Sequence, residues 1–142
     1  MKSVNIKLLL LLYLAIILYG CSENIVESTP SIDENQDPTS ISAKFSDIQN
    51  KIFSESCALS GCHAGAVSPD LTSSAFERIV NKQSSSGLDY IEPGDPDKSY
   101  LLQKIIGSST INGSRMPLNS SALSQNKIDA LAEWISNGAE NN

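Results

Sequence analysis

Only four short stretches of this chain carry the apolar spacing of a helix, and the connections between them are long and rich in Gly, Pro and Ser. The first covers residues 43–56, with Phe45, Ile48, Ile52 and Phe53 on one stripe. Ser74 and Glu77 fit a capping box that opens a second helix ahead of Ile79 and Val80. Asp95 and Pro96 read as an acidic N-cap with proline at the first helical position. From there a third helix runs through Tyr100, Leu101 and Leu102 to Ile105 and Ile106, and Gly107 ends it. The fourth spans residues 124–137, with Ile128, Leu131, Trp134 and Ile135 on one face and Gly138 as its stop. Period-two alternation is scarce, so the expected fold class is all-α, with Trp134 anchoring the last helix against the first. A body of about 95 residues buries only about 60–65% of the surface its unfolded chain exposes. Short helices and long loops at that size call for a staple besides the core.

Upstream of this body the chain changes character twice. Lys2 and Lys7 flank a short positive start, and residues 8–19 are apolar throughout before Gly20 and Cys21. Twelve residues make a helix of about 18 Å, well short of the roughly 30 Å that a spanning helix must cross, so residues 1–20 read as a signal peptide. The run Leu18-Tyr19-Gly20-Cys21 resembles the bacterial lipobox, which implies lipidation of Cys21 and a lipid anchor in the cell envelope. Residues 22–42 are polar and acidic and carry Pro30 and Pro38. They read as a disordered tether that sets the body about 25 Å from the lipid as a coil, with an extended limit near ~70 Å. The expected organisation is therefore a signal peptide over 1–20, a lipidated cysteine and linker over 21–42, and a folded domain over 43–139.

The formal charge is −6, from 10 basic and 16 acidic side chains. No basic surface is available to neutralise phosphates, which excludes a nucleic-acid role. Cleavage before Cys21 removes Lys2 and Lys7 and leaves 8 basic against 16 acidic side chains. The acidic residues are scattered, with no catalytic pair among them. Such a surface suits partners with basic docking patches, at rates that fall with salt.

Cys57-Ala58-Leu59-Ser60-Gly61-Cys62-His63 places two of the three cysteines five positions apart, with the single histidine directly after the second. The usual haem c attachment signature is C-x2-C-H, in which two thiols add to porphyrin vinyl groups and the histidine binds the iron. Here the gap is C-x4-C-H, and Ser60-Gly61 gives the longer loop freedom to bulge. A disulfide between Cys57 and Cys62 is the plainer reading in an exported protein. Zinc held by Cys57, Cys62 and His63 with Asp70 as fourth ligand is another.

Beyond that segment the chain resembles the small monohaem c-type cytochrome domains of bacterial lipoproteins and of the planctomycete type. The matching residues are Ile52-Phe53, Cys57 to Gly65, Leu71, the run from Pro93 through Asp95-Pro96 to Tyr100-Leu101-Leu102, Met116-Pro117, Leu123-Ser124, Ile128 and Trp134-Ile135 to Gly138-Ala139. The resemblance implies a cytochrome c-like helical fold with long loops around one covalently attached haem c. It implies Cys57 and Cys62 as attachment residues, His63 as one axial iron ligand and Met116 as the other. Met116 is also the single methionine left once Met1 is removed. Tyr100, Leu101 and Leu102 would line the haem pocket or serve as ordinary core, and Arg115 would face a propionate or solvent. The implied activity is outer-sphere, single-electron transfer rather than turnover of a substrate. A sensor or peroxidase-like accessory domain with an open sixth site, and a haem-free lipoprotein stapled by a disulfide, are the alternatives.

Overall fold

The computed structural model describes residues 40–142. The expected signal peptide, Cys21 and the linker as far as residue 39 lie outside the described residues. Among the described residues the chain is helix-rich and has no strand; isolated bridges pair Val80 with Ile91 and Gln83 with Asp89.

Helix α1 occupies residues 45–56 as three contiguous stretches, an α turn Phe45–Asp47, a π-helical stretch Ile48–Phe53 and an α turn Ser54–Ser56. In the wide stretch the Ser54 amide reaches back five residues to the Gln49 carbonyl, and the Ser54 hydroxyl donates to the same oxygen at 2.8 Å. Ile48, Ile52 and Phe53 are all fully buried on the expected stripe. Lys44, the N-cap, offers no side-chain cap, and the first-turn amides find partners at the far end of the chain. Phe45 N–H donates to the Asn142 side-chain oxygen at 2.8 Å and Ser46 N–H to the Asn142 backbone oxygen at 2.9 Å. The folded body also takes in residues upstream of Ala43: Ile41 packs on the core, and the Ser42 amide and hydroxyl both donate to Asp47.

Helix α2 is Ala75–Ile79, and the capping box expected at its start does not form. A capping box needs the Ser74 amide free to meet Glu77. Here that amide and the Ala75 amide both donate to the Thr72 carbonyl, at 2.7 and 2.9 Å. The preceding turn is instead held by Asp70, which accepts from the Thr72 amide and hydroxyl, and by Arg78, which donates to the Asp70 and Thr72 carbonyls.

The third expected helix is interrupted. Asp95 caps as anticipated, accepting from Lys98 N–H at 3.1 Å, but the turn it opens is a single 3-10 turn, Pro96–Lys98. Ser99 then breaks to extended backbone (φ −84°, ψ 100°), and α3 runs Tyr100–Ile106. The break has a local cause: Ser99 is fully buried, and its hydroxyl accepts from Glu92 N–H and donates to the Asp95 carbonyl, both at 2.9 Å. The first amides of α3 are then satisfied by the neighbouring loop, Tyr100 N–H by Asp89 and Leu101 N–H by Tyr90. Gly107, at φ +74°, ends α3 as expected.

Helix α4, Gln125–Ser136, buries Ala130, Leu131, Trp134 and Ile135, and Gly138 follows its end at φ +97°. Trp134 anchors α4 against α1: its ring lies 5.6 Å from that of Phe45, which in turn meets Phe76 edge-on at 5.2 Å. The indole N–H donates to the Glu140 carbonyl, so the wet end of this buried side chain is satisfied. Leu71, Ile91, Leu101, Leu102 and Ile105 continue the core toward α3.

Candidate functional site

The loop that leaves α1 folds back on itself. Cys57 N–H and Ala58 N–H both donate to the Phe53 carbonyl, Cys62 N–H to Leu59, His63 N–H to Cys57 at 3.2 Å, and Leu71 N–H to His63 at 2.7 Å. The bond between His63 and Cys57 closes the four residues between the cysteines, two more than in C-x2-C-H, into a side bulge. Leu59, Ser60 and Gly61 are exposed there, with Gly61 at φ +78°. The spacing of the two cysteines is thus absorbed outward, and the register of His63 is fixed by its own backbone bonds.

His63 is held through one face of its ring. Nδ1 lies 2.9 Å from the Pro69 carbonyl and 3.2 Å from the Val67 carbonyl. Carbonyl oxygens only accept, so Nδ1 carries the hydrogen and the neutral ring keeps its lone pair on Nε2. That arrangement orients an imidazole for coordination through Nε2.

Cys57 and Cys62 are free thiols. Cys57 is mostly buried, and burial pushes its thiol up to about 11, against an opposing pull from Lys127 and a small further rise from Cys62. Cys62 is exposed. Lys127 is itself tied down, donating to the Lys51 carbonyl at 2.6 Å and to Glu55 at 2.7 Å, and so clamps α4 to the end of α1 beside Cys57.

Met116 arrives from the other side. Its amide donates to the Lys104 carbonyl on α3 at 2.8 Å, and Lys104 Nζ donates to the Asn112 and Ser114 carbonyls. Tyr100 hydroxyl accepts from Asn112 N–H. One helix face, Tyr100, Leu101, Lys104 and Ile105, therefore both supports the loop and faces the site. Arg115 braces the loop from behind, donating to the Met116 and Ser120 carbonyls. It does not line the cleft.

Between these two loops lies a cleft in two lobes of about 260 and 190 Å³, and Cys57, His63, Val67 and Met116 line both. The larger lobe is floored by the core residues Leu71, Leu101 and Ile105. The smaller contains Cys62, Leu59, Pro117 and Leu118. The structure thus brings Cys57, Cys62, His63 and Met116 to one cleft, 59 positions apart in sequence at the extremes. Tyr100 and Leu101 line it, whereas Leu102 belongs to the core behind. Asp70, the fourth ligand of the zinc reading, is engaged with Thr72 and Arg78. Among the described residues no group of three or more His, Cys, Asp or Glu side chains is arranged to hold a metal ion.

Sequence reasoning missed the Pro69 carbonyl, which no side-chain pattern signals, and Lys104, which the helical spacing from Tyr100 could have found. Comparison with protein-family models, with curated proteins and with solved structures returned no match to this chain.

Proposed function

We propose that this protein is an exported monohaem c-type cytochrome, anchored to the membrane through Cys21, that relays single electrons in the cell envelope. One observation carries the reading: His63, with Nδ1 occupied by Pro69 and its lone pair on Nε2, shares a cleft with Met116 and with two free thiols. The donor set fits haem c, since it offers two nucleophilic sulfurs, one imidazole nitrogen, one thioether and apolar walls.

Haem c supplies a one-electron Fe(III)/Fe(II) couple when bound. Cys57 and Cys62 would each add their S–H across a vinyl double bond, sulfur to one carbon and hydrogen to the other, with no oxidant required. His63 would offer Nε2 to the iron, kept in place by Pro69 and by its backbone bonds to Cys57 and Leu71. Met116 would offer its sulfur from a loop tied to α3 by its amide and braced by Arg115. With His63 and Met116 both bound, no coordination site would be left for a substrate, and the role would be outer-sphere transfer rather than turnover. Leu71, Leu101 and Ile105 give the larger lobe an apolar floor, which would favour the less charged reduced state. The chain's acidic charge would steer basic partners toward it.

The test is the visible spectrum of the chain made together with bacterial haem c maturation machinery, recorded oxidised and reduced and again after denaturation. Colour that stays with the denatured polypeptide is the expected result. A chain that emerges without haem, from machinery that matures a control cytochrome, overturns the proposal and leaves the haem-free lipoprotein in its place.

A further inference from the structure

The two lobes of the cleft differ in chemistry. The smaller one holds Cys62 and the exposed apolar side chains Leu59, Val67 and Leu118, and no Lys, Arg, Asp or Glu lines it. The larger one carries Ser68, Ser85, Tyr90, Asn112 and Lys104 around its apolar floor. Among the described residues Lys104 is the one Lys, Arg, Asp or Glu that lines either lobe.

We infer that Lys104, with the Tyr90 and Ser68 hydroxyls, forms the carboxylate-binding end of the cleft and sets which way round the macrocycle enters. The inference rests on the haem reading and deepens it. A haem carries its two vinyl groups toward one edge and its two propionates toward the opposite one. Cys62 lies only in the smaller lobe and Cys57 where the two lobes meet, lining both, so sulfur attachment would put the vinyl edge on the smaller-lobe side and send the carboxylates toward the larger lobe. The single cation of the cleft lies at that end, an agreement that the attachment argument did not use. Lys104 Nζ gives two of its three N–H groups to the Asn112 and Ser114 carbonyls, at 2.9 and 2.6 Å, and keeps one to donate. Those two bonds also hold the ammonium in place, which lowers the entropy lost when a carboxylate pairs with it. Tyr90 and Ser68 hydroxyls lie 3.5 Å from each other and are two of the neutral donors of the same lobe, beside Ser85, Tyr100 and Asn112.

The experiment compares two probes, iron protoporphyrin IX and its dimethyl ester, titrated into the full chain made without maturation machinery and followed by Soret absorbance. The ester keeps the ring and the vinyls and loses both negative charges. A charge-assisted hydrogen bond of this kind corresponds to about tenfold or more in affinity, so the wild-type chain is expected to prefer the free acid by that factor. Lys104→Gln is expected to bring the ratio to within about twofold of one, and Lys104→Arg to keep it. A ratio is read because a loosened Asn112–Ser114 loop would weaken both probes alike. Should Lys104→Gln fail to fold by circular dichroism, Tyr90→Phe decides, since its hydroxyl holds no backbone group; a fall of about threefold is expected. A wild-type ratio near one, or a ratio that no folded variant lowers, overturns the orientation while leaving haem binding intact. A wild-type chain that binds neither probe overturns the haem reading, and the orientation with it.

Discussion

The burial of Cys57 makes a kinetic prediction about the chain before any group is attached. Burial raises its thiol from 9.0 to about 11. At pH 8 the thiolate fraction therefore falls from about one in ten to about one in a thousand, a hundredfold loss of the reactive species. A more basic thiolate is also a better nucleophile, and a Brønsted slope of about 0.4–0.5 returns somewhat less than tenfold. Alkylation of Cys57 by iodoacetamide at pH 8 is expected to be about 10- to 100-fold slower than that of a thiol titrating at 9.0, with burial slowing it further. Cys62, exposed on the bulge, should be consumed first. Fragment masses distinguish the two sites, and the Cys57 rate should climb about tenfold per pH unit until pH nears 11. The same shift has a thermodynamic side. The folded thiol keeps its proton while the unfolded one releases it, so stability is intact below about pH 9 and declines as pH rises through 11, by at most about 2–3 kcal/mol. Equal labelling of Cys57 and Cys62 at pH 8, or a Cys57 rate that levels off below pH 10, would refute the burial argument.

Three further outcomes are expected. Met116→Ala in the haem-loaded chain should abolish the sulfur-to-iron charge-transfer band and lower the reduction potential while the haem stays attached; an unchanged spectrum points to an open sixth site. Trp134→Ala should cost about 3–5 kcal/mol, read as a shift in the urea midpoint, because the ring is 1% exposed, packs on Phe45 and leaves Glu140 without its donor; a loss below about 1 kcal/mol contradicts that packing. The Asp47 carboxyl is held below its usual range, first by the Ser42 amide and then by the Ser42 hydroxyl and Lys51. Its contribution is therefore present above the unfolded carboxyl range and is lost as pH falls through the folded value, and Asp47→Asn should flatten the acid limb of stability against pH below the ordinary carboxyl range.

The apolar stripes were legible because burial follows periodicity: Phe45, Ile48, Ile52 and Phe53 on α1, and Leu131, Trp134 and Ile135 on α4, are all buried where the spacing puts them. The positions that misled were those where a local polar pattern competes with a tertiary partner. Ser74 and Glu77 have the spacing of a capping box, but the Thr72 carbonyl takes the amide that the box needs. Asp95 and Pro96 begin a helix, yet Ser99 stops it after one turn because its hydroxyl is taken by Glu92 and Asp95. The cap that Asn142 gives α1 is 97 positions away for Phe45 and leaves no local trace. Within the candidate site, Cys57, Cys62 and His63 stood out by type and spacing and Met116 through the resemblance, whereas the Pro69 carbonyl that fixes the histidine tautomer is backbone, common to every residue.

The staple that the size of this domain calls for is then a matter of where the core ends. Leu71, Leu101 and Ile105 belong at once to the buried core and to the floor of the larger lobe, so an occupant of the cleft would pack against the same side chains that join α3 to α1. Binding and folding would share one apolar surface, and whatever fills the cleft stabilises the folded state by mass action. A dissociable ligand lends that stability only while its concentration exceeds its dissociation constant. Attachment through Cys57 and Cys62, as proposed, would remove the concentration from the expression, because the occupant could not leave even when the loops open. For short helices joined by long loops this matters more than in a larger protein, since the loops that carry His63 and Met116 are also the walls of the cleft. The four-residue bulge does not weaken the argument: it projects from the wall, and the bond from His63 to the Cys57 carbonyl keeps its two ends together.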